Sequence, residues 1–248
     1  MREIIISGQM KMADIIAGDQ RAMVLMPRFG IDLGVGDKTV RQICREKGIH
    51  LDFFLLMVNV FLHPSYFPGK KLKNVDVNLL LIYLANSHEY YIREKVPSIQ
   101  SLVGEFLYKL EQPARGQLDK FFREYIREVI EHIAYEEDVV FPYISSLAGT
   151  PPVGNGNGTD PSYAEDKKAL RERGIREFEK RHNDIEEKLS DLKNLLIKYV
   201  PPASDRYLRI RILNELIDLE QDLADHARLE DKVLIPIVEE LEKQLDTR

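Results

Sequence analysis

Four of the six histidines are spaced regularly along this chain of 248 residues. They lie at His88, His132, His182 and His226, so that the successive gaps are 44, 50 and 44 residues. Residues four apart share one face of an α-helix, and a histidine and a glutamate at that spacing can present their side chains to one metal ion. The equal outer gaps indicate a metal site that is built from two similar halves.

Two of these histidines begin a repeated motif, in which a glutamate follows after four residues and a proline after ten. The members are His132, Glu136 and Pro142 in the first copy, and His226, Glu230 and Pro236 in the second. The histidine–glutamate pair alone is weak support for a metal, because Glu186 follows His182 at the same spacing without the proline. The whole repeat is more specific. The predicted metal ligands are His88, His132, Glu136, His182, His226 and Glu230.

This ligand set narrows the choice of metal. Six side chains exceed the four that a zinc ion normally takes, and the set contains no thiolate for a soft metal. Two octahedral ions offer about twelve positions, of which four imidazoles, two bridging carboxylates and one oxo or hydroxo bridge fill about ten. Two iron ions fit best, with di-manganese or a mixed pair as the alternative. The expected chemistry is the binding or reduction of dioxygen, nitric oxide or peroxide.

Glycine and proline divide the chain into regions of different character. A small helical N-terminal domain is expected at 1–67, a polar linker at 68–75 and a larger domain at 76–248. The larger domain shows long amphipathic helices at about 75–110, 114–147, 163–200 and 205–245, the last capped by Ser204 or Asp205, with a flexible loop at 149–161. The pattern predicts an all-α, up-down-up-down four-helix bundle, in which each helix contributes one histidine.

Composition limits the function classes. The net charge of −6 argues against a nucleic-acid-binding protein, which usually carries a basic face. No stretch reaches the roughly 20 apolar residues needed to span a bilayer. Cys44 is the only cysteine, which excludes an intrachain disulfide framework and favours a reducing, cytoplasmic location.

The predicted ligands resemble those of the hemerythrin-like (HHE) domain, and most closely its branch in the RIC (repair of iron centres) proteins. The resemblance covers roughly residues 75–245. In that branch four histidines and two glutamates hold two irons. The resemblance implies that Glu136 and Glu230 bridge the irons, and that His88 and His182 are the ligands of its two single-histidine helices.

The N-terminal region is similar to the small helical domain that precedes the bundle in RIC proteins. The stretch that begins Arg28-Phe-Gly-Ile-Asp is close to that domain's opening motif. The family usually has two adjacent cysteines just after it, whereas Gly34 and Val35 stand here. A vicinal thiol pair could exchange disulfides or hand over iron, and this chain lacks it. Cys44 is expected to be a packed residue and His63 to be structural, and His50 lies in the small domain, away from the repeated motif.

Three functions follow as expectations. The first is a di-iron protein of iron–sulfur cluster repair or of the nitrosative and oxidative stress response, with iron–sulfur proteins among its partners. The second is an oxygen or nitric oxide sensor that acts through a partner protein without catalysis. The third is a structural helical protein that binds adventitious zinc. The sequence leaves open whether the chain is an enzyme, and its oligomeric state.

Overall fold

Helices form the secondary structure, apart from one isolated bridge between Lys11 and Thr39. This holds for the residues that the computed structural model describes, namely 4–153, 164–173, 175, 183–202 and 205–246. The all-α fold class expected from the sequence is confirmed. Among these residues, no helix has both the length and the apolar content needed to cross a membrane.

Short helices make up the N-terminal region. They are α1 (Met12–Gly18), α2 (Arg21–Arg28), α3 (Val40–Lys47) and α4 (Leu51–Leu62), and a 3-10 helix follows at Gly69–Asn74. Thr39 and Gln42 form a capping box that starts α3, and Gly48 ends it with a positive φ of 69°. His50 caps α4 by accepting a hydrogen bond from the backbone N–H of Phe53.

Further helices follow, several of them longer. They are α5 (Val77–Tyr90), α6 (Val96–Tyr108), α7 (Ala114–Tyr135), α8 (Phe141–Ala148), α9 (Ala164–Arg173), α10 (Asn183–Lys198), α11 (Arg206–Leu229) and α12 (Ile235–Asp246). Asp205 caps α11, because its Oδ1 accepts from the backbone N–H of Leu208 at 3.0 Å. Ser204 and residues 154–161 of the predicted flexible loop lie outside the described residues.

Among the described residues, three π-helical segments connect consecutive helices, and each ends two residues before a proline. They are Tyr91–Lys95 before Pro97, Glu136–Val140 before Pro142, and Glu230–Leu234 before Pro236. A proline cannot donate a backbone hydrogen bond, and in an α-helix its ring crowds the carbonyl four residues earlier. A wider turn relieves that crowding. The proline of the repeated motif therefore marks a π segment that begins at the motif's glutamate.

Residues 88–143 and 152–224 form one of two compact units. Its core is apolar and draws on α6, α7, α10 and α11; buried members include Val103, Phe122, Val129, Leu192 and Leu216. Short connections join α6 to α7 and α10 to α11, as in an antiparallel bundle.

Residues 1–87, 144–151 and 225–248 form the other compact unit. Here Phe29 packs its ring against Phe53, Phe54 and Tyr83, with centroids 4.9 to 6.1 Å apart. Buried Asn59 makes hydrogen bonds with both the N–H and the carbonyl of Ile6, which fixes the first described residues against α4. The domain boundaries expected from the sequence stay a prediction.

Candidate metal centre

Glu136 lies between two imidazoles. The residue begins the second π segment and is fully buried. Its Oε1 lies 2.7 Å from Nε2 of His132, one helical turn earlier on α7. Its Oε2 lies 2.7 Å from Nε2 of His88, on α5. Each carboxylate oxygen therefore faces a nitrogen from a different helix.

His88 is held on its other edge by a second carboxylate. Its Nδ1 lies 3.1 Å from Oε1 of Glu137, which is almost fully buried. Its ring also stacks on Phe141, with centroids 5.4 Å apart and planes 7° from parallel. Sequence reasoning missed Glu137. The available signal was an acid at the fifth place after each histidine of the repeated motif, since Asp231 occupies that place after His226.

These contacts fit a metal ion. A carboxylate only accepts hydrogen bonds, so the contact with Glu137 places the imidazole proton of His88 on Nδ1. The lone pair on Nε2 of a neutral ring then faces Oε2 of Glu136, and a cation bound to both atoms would remove the repulsion between them. Donor atoms bound to one ion at about 2.1 Å and at right angles are about 3 Å apart, close to the observed spacing. The alternative cation is a second proton on the ring.

The second copy of the motif repeats the pairing of imidazole and carboxylate. Nε2 of His226 lies 3.2 Å from Oε1 of Glu230. Both side chains are buried, and Glu230 begins the third π segment as Glu136 begins the second. The same local structure thus carries the glutamate in both copies.

The predicted ligands fall into three groups. The structure brings together His88, His132 and Glu136 in one cluster, and places His226 and Glu230 beside each other. His88, Glu136, His226 and Glu230 are all buried and offer donor atoms of the kinds that hold metal ions. His182 lies outside the described residues, as does the side chain of Glu186.

Residues outside these two clusters have structural roles. His63 ends α4, where its backbone N–H donates to the carbonyl of Asn59. The Tyr91 hydroxyl donates to the backbone carbonyl of Asp222 at 3.4 Å. Burial raises the pKa of the Cys44 thiol to about 11, which leaves little thiolate at neutral pH. Cys44 is therefore a packed residue, as expected.

Comparison with known proteins decides the family. The model of the hemerythrin HHE cation-binding domain matches residues 87–238, a range that includes every predicted metal ligand. The chain belongs to the hemerythrin HHE family. Members share a domain named for cation binding, so the histidine and glutamate clusters stand in a domain of the expected kind. The HHE match also confirms the expected hemerythrin-like bundle.

A curated relative extends the similarity beyond the HHE domain. The chain is 21% identical over 233 residues to the iron-sulfur cluster repair protein ScdA of Staphylococcus haemolyticus (strain JCSC1435). The alignment covers 92% of this chain and 97% of the relative, so it includes most of the N-terminal region. The resemblance to RIC-type proteins is thereby confirmed.

Proposed function

We propose that this HHE protein holds a non-haem di-iron centre that binds or reduces small oxidants and serves in iron–sulfur cluster repair or in the nitrosative and oxidative stress response. The proposed ligands are His88, His132, Glu136, His182, His226 and Glu230. A di-manganese or mixed pair is the alternative occupant.

The observation that carries the proposal is the position of Glu136. A carboxylate whose two oxygens face different imidazoles can bind a separate metal ion with each oxygen. One ion could bind Glu136 and both imidazoles only if the two imidazole nitrogens lay on the same side of the carboxylate. The contacts of 2.7 Å to His88 and 2.7 Å to His132 favour the two-ion arrangement.

The second copy of the motif supplies the remaining half of the proposed ligand set. Glu230 follows His226 at the same spacing and begins the same kind of π segment. On the family resemblance, His182 completes this half as His88 completes the first. The two similar half-sites would together hold the proposed pair of metal ions.

The protein side chains have distinct parts in the proposed chemistry. A bound iron pair would supply redox capacity and open coordination positions for a small ligand. Glu137 would hold the Nδ1 proton of His88 and leave Nε2 free to bind a metal ion. Phe141 covers the face of the His88 ring and limits water there. The chemistry of a vicinal thiol pair is excluded in the N-terminal region, because Gly34 and Val35 stand where the family has its two cysteines.

The relative's name supports a repair role. ScdA is called an iron-sulfur cluster repair protein, and its similarity to this chain spans nearly its whole length. We extend the role to this chain, with damaged iron–sulfur proteins as partners and the cytoplasm as its location.

Metal content and spectrum test the di-iron centre. Protein from iron-replete cells should contain about two irons per chain and show an oxo-bridged absorption when oxidised. Changing His132 or Glu230 to alanine should abolish that absorption, because each removes a ligand from a different copy of the motif. His63→Ala is the matched control and should retain it. About one zinc and no iron per chain would reject the proposal.

A repair assay tests the function. An iron–sulfur enzyme inactivated by nitric oxide should recover more activity with the loaded protein than with an equal amount of free iron. The Glu230→Ala variant should perform no better than free iron. Equal recovery with all three additions would refute the repair role.

The missing cysteine pair favours a second candidate, a sensor that passes ligand binding to a partner protein. A sensor should bind its partner differently with and without dioxygen or nitric oxide. Identical binding in both states would exclude it and leave repair as the surviving function.

A further inference from the structure

We infer that Asp225 is a positioning residue for His226, and that the N-terminal region holds it through Arg21. The N-terminal helices thereby set the direction in which α11 presents its metal ligand. The inference rests on the proposed function, since it takes His226 to bind metal.

Asp225 is a buried carboxylate with two arginine partners. Its side chain has no exposed surface. Oδ1 lies 2.6 Å from Nη1 of Arg228, one turn later on α11, and Oδ2 lies 3.4 Å from Nη1 of Arg21, at the start of α2. A buried charge is strongly destabilising unless it is paired and hydrogen-bonded. The position of Asp225 is therefore tied to both guanidinium groups.

Both arginines also cap the C-terminal end of α4. Arg21 donates from Nη2 to the carbonyl of Leu62 at 2.7 Å, and Arg228 donates from Nη1 to the carbonyl of Phe61 at 3.1 Å. The last carbonyls of a helix lack partners within the helix and carry its negative dipole end. Cationic side chains at this place satisfy the carbonyls and link α4 to α11.

Arg21 is itself fixed by Asp19. Its Nε and Nη2 bind the two carboxylate oxygens of Asp19 at 3.0 and 2.6 Å, a bidentate pairing. Burial alone would raise the pKa of Asp19, but the hydrogen bonds from Arg21, with its charge and that of His63, lower it below its usual value. Asp19 therefore stays charged at neutral pH and orients Arg21 toward Asp225.

A third cation extends the contact along the chain. Lys232, in the third π segment, donates from Nζ to the carbonyls of Pro64 and Tyr66. Arg228 and Lys232 lie on either side of Glu230 in sequence. Residues 225–232, which include both ligands of the second motif copy, are thus hydrogen-bonded to the end of α4 and to the residues that follow it.

The consequence for His226 follows from helix geometry. Neighbouring residues on an α-helix point about 100° apart, so fixing Asp225 fixes the rotation of α11 at His226. A rotation of about 10° moves an atom that lies about 6 Å from the axis by about 1 Å, which exceeds the tolerance of about 0.5 Å for a functional constellation. Loss of the ion pair between Arg21 and Asp225 should therefore weaken metal binding without removing a ligand.

Anaerobic titration of the full chain with iron(II) tests the inference. Asp225→Asn and Arg21→Ala should each weaken iron binding about 10-fold and alter the absorption of the oxidised centre, because they loosen an orienting partner of a ligand-bearing helix. Arg21→Lys keeps the charge and should recover part of the affinity. Lys11→Ala removes an exposed ion pair with Asp37 in the same region and should change neither readout.

His226→Ala separates the possible failures. If this variant binds iron like the unaltered chain, the proposed centre is wrong. If it loses iron while Asp225→Asn and Arg21→Ala bind and absorb like the unaltered chain, the positioning role is wrong. If Asp225→Asn does not fold, the Arg21 pair decides: loss with alanine and partial recovery with lysine support the role, and unchanged binding in both overturns it.

Discussion

The placement of His88 shows what residue spacing could and could not predict. The gap of 44 residues singled out His88, although no motif surrounds it, and the structure places its Nε2 beside Glu136. Glu137 was not predicted, because neighbours on an α-helix point about 100° apart and only one should face a given group. An imidazole has two nitrogens on opposite edges. Glu136 meets one and Glu137 meets the other.

Replacing Glu137 tests whether its contact with Nδ1 of His88 contributes to metal binding. Glu137→Gln keeps the size but offers a weaker acceptor to Nδ1 of His88, and loss of such a partner typically lowers metal affinity 10- to 100-fold. We expect weaker iron binding in titration and a changed absorption, with the helical circular dichroism preserved.

Glu131→Gln supplies the control, because Glu131 is an exposed residue of the same helical run whose ion pair with Arg127 is long, at 3.7 Å. Glu137 would have no part in holding His88 if both glutamine variants bound iron like the unaltered chain.

At the scale of elements, the π segments explain a sequence signal that helical periodicity cannot. The proline ten residues after each motif histidine first served only as a marker of repetition. In the structure Pro142 and Pro236 each follow a segment with wider hydrogen bonding, and Pro97 follows a third such segment after His88. Regular 3.6-residue spacing carries no information about a local change of turn. The helix bounds could be predicted, but their π insertions could not.

Two glycine substitutions test whether the backbone at Gly34, where the family has a cysteine, accepts a side chain. Gly34 has a φ of 95°, which residues with a side chain rarely adopt, whereas Gly104 lies within α6 with open space around it. Gly34→Ala should lower the free energy of unfolding by about 1 kcal/mol. Gly104→Ala should raise it by about 0.5 to 1 kcal/mol.

Urea unfolding of both variants measures these changes. A stabilising effect at Gly34 would show that the loop accepts a side chain there. A cysteine at position 34 would then be compatible with the backbone conformation of the loop.

At the scale of the whole molecule, the helical fold and the motif pairs followed from periodicity and spacing, but contacts distant in sequence did not. Amphipathic patterns predicted, within a few residues, the ends of two helical runs. One extends from α7 to α8 (114–148) and the other from α11 to α12 (206–246), each including a π segment. Arg21 and Asp225 are 204 positions apart in the sequence, and no local sequence pattern predicts that they pair. Tertiary pairs of single charged residues are invisible in one sequence, because surface arginines and aspartates are common.

Metal removal should destabilise the whole chain if iron binds the folded state alone. Free iron at about 100 times its dissociation constant would add about 2.7 kcal/mol to the free energy of unfolding. A chelator should therefore lower the thermal midpoint of the loaded protein. Glu136→Ala serves as the control and should show no such change. The same midpoint with and without chelator in the unaltered chain would contradict a structural contribution from the metal.

The capping of α4 by Arg228 bears on biosynthesis. During translation α4 leaves the ribosome long before residue 228, so the carbonyl of Phe61 first meets water in place of its guanidinium partner. Asp225 and Arg228 arrive together, after the residues of α4. The second motif copy therefore gains its support later than α4 forms, and a nascent chain stalled before residue 225 would lack His226 and Glu230 as well as the residues that orient them.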